Sequence, residues 1–185
     1  MQSTELVFDE FPGRRLLCCV VRECRGTDAT RAEVAAGELP VAILDARLVA
    51  SPFCLHAAAH RALHSVLVLK KPRSASLHAE VVCVLLGNRS VSDAVRVLGS
   101  PATGGDVVVV AFEPPEGLLE RVVSKLDGAH APLPLPAYYP GGTDAAAVVA
   151  AYHIPPAEVV ALSPPGLPGL EAAVLGRIAL QDTAT

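Results

Sequence analysis

Three regularly spaced histidines are the residues of this sequence best placed for chemistry. His56, His60 and His64 follow one another at four-residue intervals, which puts them on one face of an α-helix because a turn holds about 3.6 residues. Three imidazoles on one face could bind zinc and leave a fourth position for water. A catalytic zinc site usually draws ligands from separate elements and is accompanied by a general base, and this helix carries no acidic residue. We therefore interpret the histidines as packed or solvated, and predict no bound metal.

The cysteines offer a second candidate for chemistry. Five are present, without a Cys-x-x-Cys pair, and Cys18 and Cys19 sit in an apolar run where a thiol stays protonated and unreactive. Glu5, Asp9 and Glu10 precede any long apolar stretch, which argues against a signal peptide. We interpret the cysteines as reduced thiols that mostly fill the core of a cytosolic or nuclear protein.

The basic residues Lys70, Lys71, Arg73 and Arg89 form the basic concentration of the chain. One interpretation is a solvated helix end. The other is a phosphate-contacting patch, because the break at residues 87–90 leads into a helix start whose free N–H groups suit an anion. A net charge of -4 and an aromatic content of 4% argue against a dedicated nucleic-acid-binding protein and against a platform that stacks many bases.

The elements that must position these residues follow from hydrophobic period and turn signals. Ser51 and Pro52 mark a helix start, with serine as the cap and proline at the first position. Ser92 and Asp93 mark another. We predict strands at residues 5–8, 15–21, 40–44 and 106–112, the last of them central because it is apolar throughout, and a hairpin turn at 11–13. Helices are predicted at 27–36, 51–69, 92–99, 114–127, 144–152 and 170–180, whereas residues 77–86 fit a helix or a strand.

Length and composition predict one domain. The 185 residues are 51% hydrophobic, enough to bury a large core. We expect a single domain over residues 1–185, with a stiff proline- and glycine-rich connection at 131–144. No uncharged stretch is long enough to predict a membrane span.

The order and spacing of several short motifs resemble the PRPK-binding protein (TPRKB) family, a small subunit of the KEOPS/EKC complex. The resemblance covers most of the chain. It is carried by Phe11-Pro12, Pro52-Phe53, Ala58-Ala59-His60-Arg61-Ala62, Lys70-Lys71-Pro72-Arg73, Leu77-x-x-Glu80, residues 86–94, the strand from Asp106, Tyr152-His153-Ile154 and the final helix. It favours a helix for residues 77–86. The predicted fold class is α/β (α+β): a mixed, largely antiparallel sheet of about four to five strands flanked by helices.

The resemblance implies a regulatory or scaffold subunit that is not an enzyme and needs no cofactor. Such subunits bind the kinase-like subunit of the complex, which makes threonylcarbamoyladenosine in tRNA. We expect the rest of the complex as further partners, tRNA as a candidate partner, no membrane contact, and a location in the cytoplasm and nucleus.

Two sets of site residues follow. Archaeal relatives hold the single-stranded CCA end of tRNA with a loop that reads Leu-Ser-Gly-x-Arg-Gln-Ile, in which this chain keeps the arginine and replaces Gln-Ile by Ser90-Val91. The predicted RNA-binding residues are Lys70, Lys71, Arg73, Asn88, Arg89, Ser90 and Val91. The predicted docking face for the kinase-like subunit is the apolar stripe of the last helix, Leu170, Val174 and Ile178.

Two other functions stay open on the residues alone. One is a metal-dependent hydrolase built on the histidine stripe, which metal analysis would identify. The other is a small-molecule-sensing α/β regulatory domain, which a ligand-induced shift in melting temperature would favour.

Overall fold

An antiparallel sheet forms the centre of the molecule. The computed structural model describes residues 2–88, 90–134, 142–162 and 164–180, and within them the sheet has five strands. These are β1 (Thr4–Val7), β2 (Arg15–Cys24), β3 (Ala42–Asp45), β4 (Gly105–Phe112) and β5 (Ala129–Pro132). All paired neighbours run antiparallel, which confirms the predicted sheet.

The long strand β2 organises this sheet. The strand order is β1-β2-β4-β3, and β5 also pairs with β2. Thr4 lies opposite Cys18, whereas Pro132 lies opposite Cys19, so β1 and β5 share one edge of β2 end to end. The other edge of β2 pairs with β4. The hairpin predicted from the turn at residues 11–13 and the central position of β4 are both confirmed.

Helices cover both faces of the sheet. They are α1 (Thr27–Ala35), α2 (Pro52–Leu63), α3 (Leu77–Leu86), α4 (Val91–Leu98), α5 (Leu118–Leu126), α6 (Ala145–Ala151), α7 (Pro156–Ala161) and α8 (Leu167–Leu180). A 3-10 turn (Ala46–Leu48) follows β3, and a π-helical segment (His64–Leu69) continues α2. None of the helices in the described parts of the chain is long and apolar enough to cross a bilayer.

Two apolar clusters use the alternation of side chains along the strands. Cys18 and Val20 of β2 point into a large cluster with α2, α3, α4, α6 and α8. Cys19 and Val21 point to the opposite face, into a smaller cluster with α5 that partly buried Val34 of α1 joins. Because the sheet is covered on both faces, β4 is apolar at successive positions rather than at every second one.

Four helix boundaries differ from the predictions. Residues 51–69 form an α-helix only as far as Leu63 and then become π-helical. The fifth helix begins at Leu118 rather than near 114, since Glu113 and Pro114 each precede a proline and are steered away from helical angles. Helix α8 begins earlier than predicted, at Leu167, because a proline in the first turn costs no intrahelical hydrogen bond. Helix α7 was not predicted, and helix α4 begins one residue before Ser92.

Residues 77–86, whose sequence pattern fits a helix or a strand, form helix α3, as the family resemblance implied. Its residues from Glu80 to Leu86 are all buried, because α3 packs between α2, α4, α8 and the sheet. A helix covered on all sides loses the amphipathic pattern that would distinguish it from a buried strand. Of the predicted connection at 131–144, residues 135–141 lie outside the described part of the chain.

Candidate functional site

Two of the three helix histidines hold the β1–β2 hairpin. His56 Nε2 lies 2.9 Å from the carbonyl oxygen of Val7, and His60 Nε2 lies 3.1 Å from Glu10 Oε2. The ring of Phe8 packs on both imidazoles, at 5.0 and 6.4 Å between centroids. Within the described residues, no three histidines, cysteines or acidic residues are grouped as a metal would require. The geometry therefore gives these histidines a packing role.

The cysteines are free and buried, as predicted. Burial raises the pKa of the Cys19 thiol to about 12 and that of Cys83 to about 11. At neutral pH these thiols are protonated, and a protonated thiol is neither a nucleophile nor a metal ligand. The cysteines act as small apolar side chains in the core.

Three of the four basic residues of the predicted RNA site, Lys70, Lys71 and Arg73, lie in the loop at residues 70–76, which joins the π-helical segment to α3. Lys70 adopts the left-handed conformation that ends the π-helical segment, with φ of 54°. Lys70 and Lys71 are exposed, and Arg73 is half-buried. The backbone N–H of Lys71 donates to the carbonyl of Ser65 at 3.1 Å, which turns the chain sharply after the π-helical segment.

A buried carboxylate organises this loop. Glu80 is 1% exposed, and its Oε2 accepts hydrogen bonds from the backbone N–H groups of Arg73 at 2.7 Å and Ser74 at 3.0 Å. The hydroxyl of Ser65 lies 3.2 Å from both Glu80 Oε1 and the carbonyl oxygen of Lys71. The family resemblance had singled out Glu80, but its role was not predicted, because its partners lie before α3 and across the end of α2.

The other part of the predicted RNA site follows α3. Gly87 ends that helix in the left-handed conformation, with φ of 75°, which favours glycine. The side chain of Asn88 then accepts a hydrogen bond from the backbone N–H of Ser90 at 2.9 Å. Arg89, which was also predicted to bind RNA, lies outside the described residues.

The start of α4 differs from the prediction. The cap is Ser90, whose hydroxyl accepts from the backbone N–H of Asp93, and the helix begins at Val91 rather than after Ser92. The hydrogen bond with Ser90, assisted by Arg96, holds the pKa of the exposed Asp93 carboxyl below its ordinary value. A fixed negative charge in the first turn opposes an incoming phosphate. The anion site expected at this helix start stays a prediction, with the ion pair of Asp93 and Arg96 beside it.

The two parts of the predicted RNA site lie at opposite ends of α3. A ten-residue helix is ~15 Å long at about 1.5 Å per residue. The loop at 70–76 is held at the first turns of α3 by Glu80, whereas Asn88, Ser90 and Val91 follow its last turn. The two parts cannot contact the same phosphate, and an RNA that meets both must extend along the helix.

The predicted docking stripe of α8 is corrected by the structure. Leu170, Val174 and Ile178 are 3%, 0% and 3% exposed and belong to the large core cluster. Helix α8 packs on α2, α3 and α6, and the Ser51 hydroxyl donates to Glu171 Oε1 at 2.5 Å, which fixes the first turns of α8 against the start of α2. The stripe is part of the core because a period of four on a helix marks a buried face as readily as an interface.

Three exposed apolar side chains follow one another on the π-helical segment. Leu67, Val68 and Leu69 are 43%, 56% and 47% exposed. They are consecutive, and they are followed at once by the exposed Lys70 and Lys71. Contiguous exposed apolar side chains, unlike single ones, are typical of an interaction surface. Sequence reasoning missed them because it extended the α-helix through residue 69. The α-helical period gave no sign that residues 64–69 become π-helical.

A comparison with protein families matches most of the chain. The model of the family described as kinase binding protein CGI-121 matches residues 24–182 of the 185. The matched span includes β3, β4, β5 and the last residue of β2, all eight described helices, and the loops at both ends of α3.

Proposed function

Because the chain belongs to the CGI-121 family of kinase-binding proteins, we propose that it is the small regulatory subunit of a KEOPS/EKC complex. In this role it binds the kinase-like subunit of that complex, performs no catalysis itself, and supports the formation of threonylcarbamoyladenosine in tRNA. The observation that carries the proposal is the family match over residues 24–182. We further propose that it works in the cytoplasm and the nucleus.

The kinase-like subunit docks on the π-helical segment in this proposal. The core already uses the side chains of Leu170, Val174 and Ile178, whereas Leu67, Val68 and Leu69 remain exposed. Interfaces concentrate their binding energy in a few apolar anchors surrounded by polar groups. Lys70 and Lys71 follow the anchors directly in the chain, and the surface of the kinase-like subunit that meets the anchors carries complementary apolar side chains.

The tRNA contact is proposed for the two ends of α3. Lys70, Lys71 and Arg73 supply positive charge at one end, and Asn88, Ser90 and Val91 lie at the other; Arg89, which falls outside the described residues, is proposed as a further contact from its place in the sequence. Phosphate contacts of this kind fix the position of an RNA and make binding dependent on salt. The negative net charge of the chain and the carboxylate of Asp93 support weak binding by the isolated subunit, so that the assembled complex is the tRNA-binding species.

Affinity purification of the tagged protein from its native cells tests the proposal. The kinase-like and carbamoyl-transferase subunits should co-purify, and depletion of the protein should lower the tRNA threonylcarbamoyladenosine content. The Val68→Asp variant should recover less of the kinase-like subunit, and Val160→Asp, altered at a side chain that is 87% exposed on α7, serves as its surface control. Recovery of a kinase without the transferase, with unchanged modified tRNA, would leave a kinase-binding protein that acts outside this complex.

A further inference from the structure

The loop at 70–76 is shaped by one buried carboxylate. Glu80 is 1% exposed, yet it stands on α3, four residues beyond the cap of that helix. Its two oxygens point back towards the loop and accept from two backbone N–H groups and a hydroxyl. A carboxylate withdrawn from water is retained only where hydrogen-bond donors replace its solvent. Here the donors of the loop take that place.

The hydrogen bonds of Glu80 determine the path of the loop backbone. The loop at 70–76 contains no helix or strand, so its N–H groups do not belong to a helical or strand hydrogen-bond pattern. Glu80 Oε2 binds those of Arg73 and Ser74, which are adjacent in the chain. Oε1 reaches Ser65, whose hydroxyl is also within 3.2 Å of the carbonyl of Lys71. One side chain thus connects the beginning and the middle of the basic loop.

We propose that Glu80 is the positioning residue of a phosphate-binding loop, which presents Lys70, Lys71 and Arg73 to the backbone of tRNA. This inference rests on the proposed function. A flexible loop must be ordered when it binds, and the apparent affinity falls with the fraction of time that the competent conformation is populated. Glu80 removes that penalty by ordering the loop beforehand.

The negative charge of Glu80 makes the proposal distinguishable from simple electrostatics. A carboxylate close to bound phosphates repels them, so removing its charge should strengthen RNA binding if charge alone matters. If Glu80 acts through the loop geometry, removing its hydrogen-bond acceptors should weaken binding although a repulsive charge has gone. The two explanations predict changes of opposite sign.

Two substitutions separate the charge from the acceptors. In Glu80→Gln the amide oxygen can accept from Arg73 and Ser74, and the amide nitrogen can donate to the Ser65 hydroxyl, so the loop is retained without the charge. Glu80→Leu removes both acceptors. We expect tRNA binding by the assembled complex to stay within about twofold for Glu80→Gln and to weaken by about fivefold for Glu80→Leu, as for a loop that is competent about one-fifth of the time.

Amide hydrogen exchange provides a readout that does not depend on RNA. The N–H groups of Arg73 and Ser74 should exchange faster in Glu80→Leu, with Glu80→Gln close to the wild-type protein. Should Glu80→Leu fail to fold, Ser65→Ala gives a milder version, because it removes one of the three donors to Glu80 and the contact with Lys71. Faster exchange in the loop and a smaller loss of tRNA affinity, about twofold, are then expected.

Two results would overturn the inference. One is equal or tighter tRNA binding by Glu80→Leu in a protein that folds. The other is unchanged exchange at Arg73 and Ser74. A variant with Lys70, Lys71, Arg73 and Arg89 all replaced by Ala tests the underlying function: if it binds tRNA normally, the RNA role itself fails. If it binds weakly while Glu80→Leu binds normally, the RNA role stands and the positioning role of Glu80 fails alone.

Discussion

His78 Nε2 accepts a hydrogen bond from the backbone N–H of Phe112, at 3.0 Å. His78 stands in the first turn of α3 and Phe112 ends β4, and their rings pack with centroids 5.8 Å apart. Because an amide can only donate, this imidazole nitrogen carries no proton and the side chain is neutral. The contact joins the helix that supports both parts of the proposed RNA site to the central strand of the sheet.

This contact predicts a loss of stability in acid. Burial lowers the pKa of His78 from 6.5 to about 4 in the folded protein. Below pH 6.5 the unfolded chain therefore takes up a proton that the folded chain refuses. The free energy of unfolding should fall as the pH drops from about 6.5 towards 4, by at most ~3 kcal/mol for this residue. Denaturant unfolding at a series of pH values measures it.

His78→Gln is the matched control for that prediction. Its amide oxygen can still accept from Phe112, but it does not titrate. The variant should lose part of the pH dependence of stability between 6.5 and 4. An identical pH dependence in the two proteins would contradict the assignment.

The burial of the α8 stripe predicts that Val174→Asp unfolds the domain. Val174 is 0% exposed in the large core cluster, and an unpaired carboxylate there should cost at least ~3 kcal/mol. Thermal unfolding should lose its cooperative transition or shift sharply downwards. The same substitution at the exposed Val160 should change the free energy of unfolding by less than about 0.5 kcal/mol. A well-folded Val174→Asp protein that no longer binds the kinase would restore the stripe as a docking face.

The exposed π-helical segment predicts where the kinase-like subunit binds. Val68 is 56% exposed, so Val68→Asp should leave the melting temperature nearly unchanged. If Val68 is a central anchor, the substitution costs ~2 kcal/mol of binding free energy, about 30-fold in affinity. Titration calorimetry with the purified kinase-like subunit measures the loss. Val160→Asp is the control, and equal affinity for both variants would place the docking face elsewhere.

The histidine contacts predict a structural effect without a metal effect. Replacing His56 and His60 together with Ala removes the bonds to Val7 and Glu10 and should lower stability by ~1–2 kcal/mol. Amide exchange in the β1–β2 hairpin should accelerate, while the activity of the assembled complex stays largely intact. His64→Ala, which changes the third histidine of the stripe and leaves the bonds of His56 and His60 in place, serves as the comparison for both stability and amide exchange. One equivalent of tightly bound zinc in the wild-type protein that is absent from the double variant would revive the hydrolase hypothesis.

The basic residues predict a salt-dependent tRNA contact. With Lys70, Lys71, Arg73 and Arg89 all changed to Ala, the assembled complex should bind tRNA more weakly and its affinity should depend less on salt. Affinity for the kinase-like subunit should be unchanged, because the apolar anchors remain. Removal of the CCA end from tRNA should reproduce the loss if residues 87–91 hold that end. Filter binding at several salt concentrations compares the cases.

Much of the architecture could be predicted from local signals. The cap and proline at Ser51 and Pro52 marked the start of α2, and the turn at residues 11–13 marked the hairpin. The apolar run that became β4 indicated a central strand. These predictions succeeded because capping, turn chemistry and strand propensity act between residues a few positions apart. The motif order also indicated the family, which the match to residues 24–182 confirms.

Only the tertiary structure decided which apolar residues are buried in the core and which are exposed to water. Leu170 and Val174 were predicted to form a docking stripe and are core residues. Leu67 and Val68 were predicted to continue an α-helix, but they lie in a π-helical segment and are exposed. Burial depends on which distant elements pack against a residue, and a hydrophobic period is the same for a core and for an interface. Glu80 shows the same limit for polar groups. Its hydrogen-bond partners could be recognised only after α2 and α3 had been brought together, because a carboxylate in the sequence carries no record of the donors that folding places around it.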